Sequence, residues 1–68
     1  MTHEAYCGDC GCTRTFVLKM NYAVLHTDNR IFIPMYCGCN KLLHLALDKH
    51  NYRKLCKIHN LKPIAIGN

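Results

Sequence analysis

The sequence predicts a small α+β domain held together by a metal ion. Three observations carry that expectation. The chain has 68 residues, and a domain of this size buries only about 60% of the surface its unfolded form exposes, so it commonly needs a disulfide, a metal or a partner as a staple. It has six cysteines, most of them gathered into two clusters, Cys7-Gly8-Asp9-Cys10-Gly11-Cys12 and Cys37-Gly38-Cys39. Strand-like alternation fills the segment between the clusters, and a leucine-rich, basic segment follows the second. The whole of residues 1–68 reads as one metal-binding domain, with knuckles and a β-hairpin over residues 6–40 and a basic helical segment over 41–62.

Residues 1–6 read as a loose lead-in. Residues 7–11 have the form of a metal-binding knuckle, in which Gly11 supplies the left-handed conformation that reverses the chain. Thr13 to Leu25 is rich in β-branched and aromatic residues. There Phe16, Leu18 and Met20 alternate with Thr15, Val17 and Lys19, as in a strand. Asn21 interrupts the run, which is either one bent strand or two short ones. Thr27-Asp28-Asn29 is a turn signal. Arg30 to Tyr36 is a second strand with Ile31, Ile33 and Met35 on one face, placed at a sheet edge because Pro34 cannot donate to a ladder. Asn40 stands where a helix N-cap belongs, and Lys41 to Lys49 reads as a helix through Leu42, Leu43, Leu45, Ala46 and Leu47. Asn51 either caps a second helix over residues 52–60 or lies within one long helix. Lys62-Pro63 ends the helical region, and Ile64-Ala65-Ile66 alternates like a short final strand.

Clustered cysteines favour chelation over disulfides. Near neighbours strain when they pair with one another, whereas a metal needs them to converge. The N-terminus Met1-Thr2-His3-Glu4-Ala5 lacks the apolar stretch of a secretory leader, and no apolar run approaches the ~18 residues of a membrane span. The expected compartment is therefore the reducing cytoplasm, where structural disulfides are rare.

Cys7-Gly8-Asp9-Cys10-Gly11 and Cys37/Cys39, set around a hairpin, resemble the zinc-ribbon and treble-clef families of zinc fingers. The resemblance covers roughly residues 6–50. It implies one structural Zn²⁺ and, in the treble-clef variant, a helix starting at the second ligand pair, which Cys39 and Asn40 fit. The second pair departs from both families in being C-x-C rather than C-x-x-C. The expected ligands are Cys7, Cys10, Cys37 and Cys39. Cys12 stands in reserve for Cys10 or Cys39, and His44 in reserve for Cys39. Cys56 reads as a buried free thiol.

The net charge of +5 lies wholly beyond Asn40. Before that point Arg14, Lys19 and Arg30 balance Glu4, Asp9 and Asp28. Lys49, His50, Arg53, Lys54, Lys57 and Lys62 form the candidate binding surface, and positions 50, 53, 54 and 57 share a helical face. Such a face suits nucleic-acid phosphates or an acidic protein surface. The expected function is a nucleic-acid-binding or transcription-associated regulator of phage or bacterial type. The alternative is a protein-interaction module or inhibitor that docks on a larger host enzyme or transcription protein through the helix and an apolar hairpin edge at Ile31, Phe32 and Tyr36. No small-molecule substrate is expected. Neither the H-x-E and P-C-x-x-C of zinc deaminases nor the H-E-x-x-H of metalloproteases is present, so a nuclease-like or other small enzyme is the least favoured reading.

Overall fold

The structure, a computed structural model, describes residues 1–66. Its elements are β1 (Thr2–Cys7), β2 (Cys12–Leu18), a 3-10 turn (Met20–Tyr22), β3 (Val24–Leu25), β4 (Arg30–Tyr36), β5 (Leu42–Asp48) and α1 (Lys49–Ile58). The α+β class is as expected, but there is more sheet and less helix than the sequence suggested.

The strands form one antiparallel sheet with β4 at its centre. All seven residues of β4 pair with β5, from Arg30 opposite Asp48 to Tyr36 opposite Leu42. On its other edge β4 carries two short partners in tandem. β3 pairs at Ile31 and Phe32, and β2 pairs at Met35 and Tyr36. The 3-10 turn lies between these partners, so the run from Thr13 to Leu25 is two short strands. β1 completes the sheet beside β2, with Thr2 opposite Val17 and Cys7 opposite Cys12; the expected lead-in is thus an edge strand.

The expectation that Pro34 marks an edge is overturned, because β4 is the central strand. The reason is local. In an antiparallel ladder the N–H and C=O of one residue point to the same side. The carbonyl of Pro34 accepts the Lys19 N–H at 2.9 Å, so its imino nitrogen faces the junction where β2 gives way to the 3-10 turn. No ladder donor is needed there, and the β4–β5 pairing is intact.

The leucine-rich segment is β5, not a helix. Asn40 is not an N-cap: its φ is +71°, and its N–H closes a turn onto the Cys37 carbonyl at 2.9 Å. Period-two alternation then buries one side of Leu43, Leu45 and Leu47 and exposes Leu42, His44 and Ala46. The helix begins only at Lys49, capped by Asp48, whose carboxylate accepts the Asn51 N–H at 2.7 Å. Among the described residues there is one α-helix, of ten residues. It ends before Lys62-Pro63 because Asn60 adopts a φ of +55°. Leu61 then donates to the Cys56 carbonyl and Asn60 to the Lys57 carbonyl, at 2.8 and 3.2 Å, which is a Schellman closure. The Ile64–Ile66 segment is not a strand. It lies along the core, with the Ile64 N–H donating to the Tyr52 hydroxyl at 3.0 Å. Replacing the cap, Asp48→Ala, is expected to cost about 1 kcal/mol, read as a lower urea midpoint with an unchanged slope.

One face of the sheet carries the core. Phe16, Leu18, Ile31, Ile33 and Met35 are buried against Tyr52 and Cys56 of α1. The opposite face is open and largely apolar. Val17, Tyr36 and Leu42 form one cross-strand row, and Val24, Phe32 and Ala46 another, with Pro34 and His44 between them. Val17 is 46% exposed and Val24 61% exposed. The His26 ring stacks on Phe32 at a centroid distance of 4.8 Å.

Candidate metal centre

Each cysteine cluster is the tip of its own hairpin, the first joining β1 to β2 and the second joining β4 to β5. At the first tip the Gly11 N–H donates to the Cys7 carbonyl at 2.8 Å, and Gly11 has a φ of +72°. The Cys10 N–H points at the Cys7 sulfur, 3.4 Å away. At the second tip the Cys37 N–H donates to the Lys41 carbonyl at 3.0 Å, and the backbone N–H groups of Cys39 and Lys41 point at the sulfurs of Cys37 and Cys39. The left-handed conformation of Asn40 lets the two-residue bite close. Both loops therefore aim backbone dipoles at sulfur, which favours the thiolate.

The two tips meet. The sulfurs of Cys7, Cys10, Cys37 and Cys39 all lie within 4.8 Å of one another. Cys7 Sγ is 3.6 Å from Cys39 Sγ, and Cys10 Sγ is 3.9 Å from Cys37 Sγ. A tetrahedral ion with metal–sulfur bonds of about 2.3 Å needs sulfur–sulfur edges of about 3.8 Å, and the two measured edges bracket that value. A disulfide would need about 2.05 Å, and all six cysteines are free. The four first-choice residues thus form a site that can hold a metal ion, with Cys7 and Cys37 buried, Cys10 half-buried and Cys39 exposed.

Neither reserve ligand belongs to this group. Cys12 is exposed and begins β2 opposite Cys7. His44 lies mid-strand on the open sheet face, opposite Pro34, with its ring 6.5 Å from that of Phe32. The helix expected to carry it toward the site is a strand. Cys56 is buried in the core.

Sequence reasoning missed Arg14. It lies on β2 two residues beyond Cys12. The charges of the Cys10, Cys37 and Cys12 sulfurs raise its guanidinium above its ordinary range. No spacing rule identifies it, because only the strand alternation that follows the knuckle brings it to the cluster. Four thiolates around a divalent ion leave an excess of negative charge, and Arg14 offsets part of it.

The metal-free thiols are unequal. Hydrogen bonding to Cys39, then to Cys7, pushes Cys10 from 9.0 up to about 12. The Cys39 backbone N–H pulls Cys37 down to about 7, against the opposing effect of burial. At about pH 8, Cys37 is therefore mostly thiolate, and metal uptake must expel the proton that Cys10 holds. The sign follows: apparent metal affinity rises with pH. Competition with a chromophoric chelator between about pH 6.5 and 8.5 should show steady tightening, whereas pH-independent affinity would contradict a thiolate site.

The basic candidates are brought together in part. Lys49, His50, Arg53, Lys54 and Lys57 all lie on α1, which contains no acidic residue. His50, Arg53, Lys54 and Lys57 are exposed on the side opposite the buried Tyr52 and Cys56, while Lys49 is half-buried. Lys62 is exposed beyond the helix end. The basic helix thus starts at Lys49 rather than Lys41. Lys41 belongs to the second knuckle, with its Nζ 3.9 Å from Asp9. Among the described residues no helix is long and apolar enough to cross a membrane. Compared with known protein families, curated proteins and solved structures, the chain matches none of them.

Proposed function

We propose that the protein is a zinc-stabilised binding module whose partner is nucleic acid. The convergence of four sulfurs within 4.8 Å of one another carries the zinc reading. An all-thiolate set selects soft or borderline ions, and with no open position zinc would serve the fold and perform no chemistry. This supports a binding role over an enzymatic one. The nucleic-acid reading rests on α1, a helix free of acidic residues whose Arg53, Lys54 and Lys57 face away from the core. Phosphate contacts of this kind give affinity without sequence preference.

The open sheet face supports a second reading, a protein-docking surface. Its residues differ from those first expected, because Ile31 is buried in the core while Phe32 and Tyr36 lie on the open side. Salt separates the readings. For nucleic acid, affinity for a fluorescent duplex or single strand should fall steeply between about 50 and 200 mM salt, and Lys54→Ala and Lys57→Ala should each lower the slope by about one unit. No measurable affinity at the low-salt end would refute this reading.

A further inference from the structure

We propose that β5 is a self-pairing edge through which two copies of this chain join their sheets. The argument begins with the direction of its backbone groups. Pro34 and Arg30 turn their carbonyls away from β5, toward the N–H groups of Lys19 and His26 at 2.9 and 2.7 Å. Antiparallel ladders alternate hydrogen-bonded and non-hydrogen-bonded pairs. The pairs Phe32–Ala46, Pro34–His44 and Tyr36–Leu42 are therefore non-hydrogen-bonded. The N–H and C=O groups of Leu42, His44 and Ala46 consequently point outward, along the free edge of a strand that, among the described residues, pairs only with β4.

Natural sheets guard such edges with charges, prolines, bulges or short strands. The other edges here follow that rule. β1 carries Glu4, and β3 is two residues long. β5 carries a charge only at its last residue, Asp48; from Leu42 to Leu47 it has no Asp, Glu, Lys, Arg, proline or glycine. Its core-side residues Leu43, Leu45 and Leu47 are only half-buried by their own chain.

A second copy fits this edge because the strand is complementary to itself. Antiparallel pairing about a two-fold axis at Leu45 sets His44 against the partner's Ala46, large against small. It also sets Leu43 against the partner's Leu47, and Leu45 against the partner's Leu45. The leucines of each copy cover those of the other, no like charges within Leu42–Leu47 oppose one another, and the outward donors and acceptors are satisfied on both sides. One strand edge is small beside the roughly 800 Å² per partner of a standard interface, so the dimer should be concentration-dependent, with a Kd on the order of micromolar.

Sedimentation equilibrium of the full, metal-loaded chain tests this. The expected result is a shift from 7.8 kDa to twice that mass as concentration rises. Hydrogen exchange at the His44 and Ala46 amides should slow in parallel. Ala46→Pro deletes one outward N–H that the chain itself does not use, and Ala46→Lys adds the missing edge charge. Both should remain monomeric at every concentration, with metal content and far-UV dichroism unchanged. Wild-type protein that stays monomeric overturns the proposal, as does a dimer that withstands Ala46→Lys in a folded protein.

Discussion

Removing the metal is expected to unfold this chain. Among the described residues the buried core is nine side chains, and two of these, Cys7 and Cys37, belong to the metal site. Binding of a structural zinc contributes about 10–16 kcal/mol in small zinc domains at neutral pH. That matches or exceeds the 5–15 kcal/mol of net stability typical of whole domains. A chelator under reducing conditions should therefore collapse the amide dispersion in a proton spectrum, and added zinc should restore it. Cys37→Ser should behave like the chelated protein, because it removes a ligand whose thiolate the second knuckle favours most. Cys12→Ser should keep full metal content and an unchanged melting temperature, since Cys12 lies outside the cluster. A folded, chelator-resistant chain without metal would refute the zinc reading, whereas Cys12→Ser losing its metal would overturn the assignment of the four ligands.

Phe16→Ala is expected to be the most damaging substitution away from the sulfurs. Phe16 is fully buried on β2, and emptying such a site costs about 3–5 kcal/mol through lost transfer energy and the cavity left behind. At about 4–8 °C per kcal/mol for a domain of this length, the melting temperature of the metal-loaded protein should fall by well over ten degrees. The next residue supplies the control. Val17 points to the open face at 46% exposure, and Val17→Ala should change stability by about 0.5 kcal/mol or less. Similar losses at both positions would mean that the two faces of β2 are not distinguished as described.

The sequence conveyed the site better than the fold around it. Ligand chemistry depends on residue type and short spacing, so Cys7, Cys10, Cys37 and Cys39 were legible directly, and β4 was legible from the alternation of Ile31, Ile33 and Met35. β5 was not, because Leu42-Leu43-His44-Leu45-Ala46-Leu47 satisfies a helical stripe and a strand alternation equally, and leucine favours helices. Asn40 misled for a related reason: asparagine serves both as a helix N-cap and as a left-handed turn residue. The signal that would have decided the matter was Asp48, three residues before Asn51, as the true cap. β1 escaped because an edge strand exposed on most sides has too little apolar patterning to announce itself. Arg14 escaped because its place depends on a register that no local motif encodes.

The direction of Pro34 has a consequence for how the sheet avoids misassembly. β4 is sandwiched between neighbours on both edges, so a slipped alignment is its main competitor. Shifting β4 by one residue against β5 would send Ile31, Ile33 and Met35 to the solvent side. It would also swing the imino nitrogen toward β5, leaving a carbonyl there without a donor, at about 1–3 kcal/mol if it is shut off from water. Only the native alignment keeps that nitrogen at the β2–β3 gap. The proline thus acts as a proofreading mark on the central strand, raising the energy of the misaligned sheet while adding nothing to the correct one.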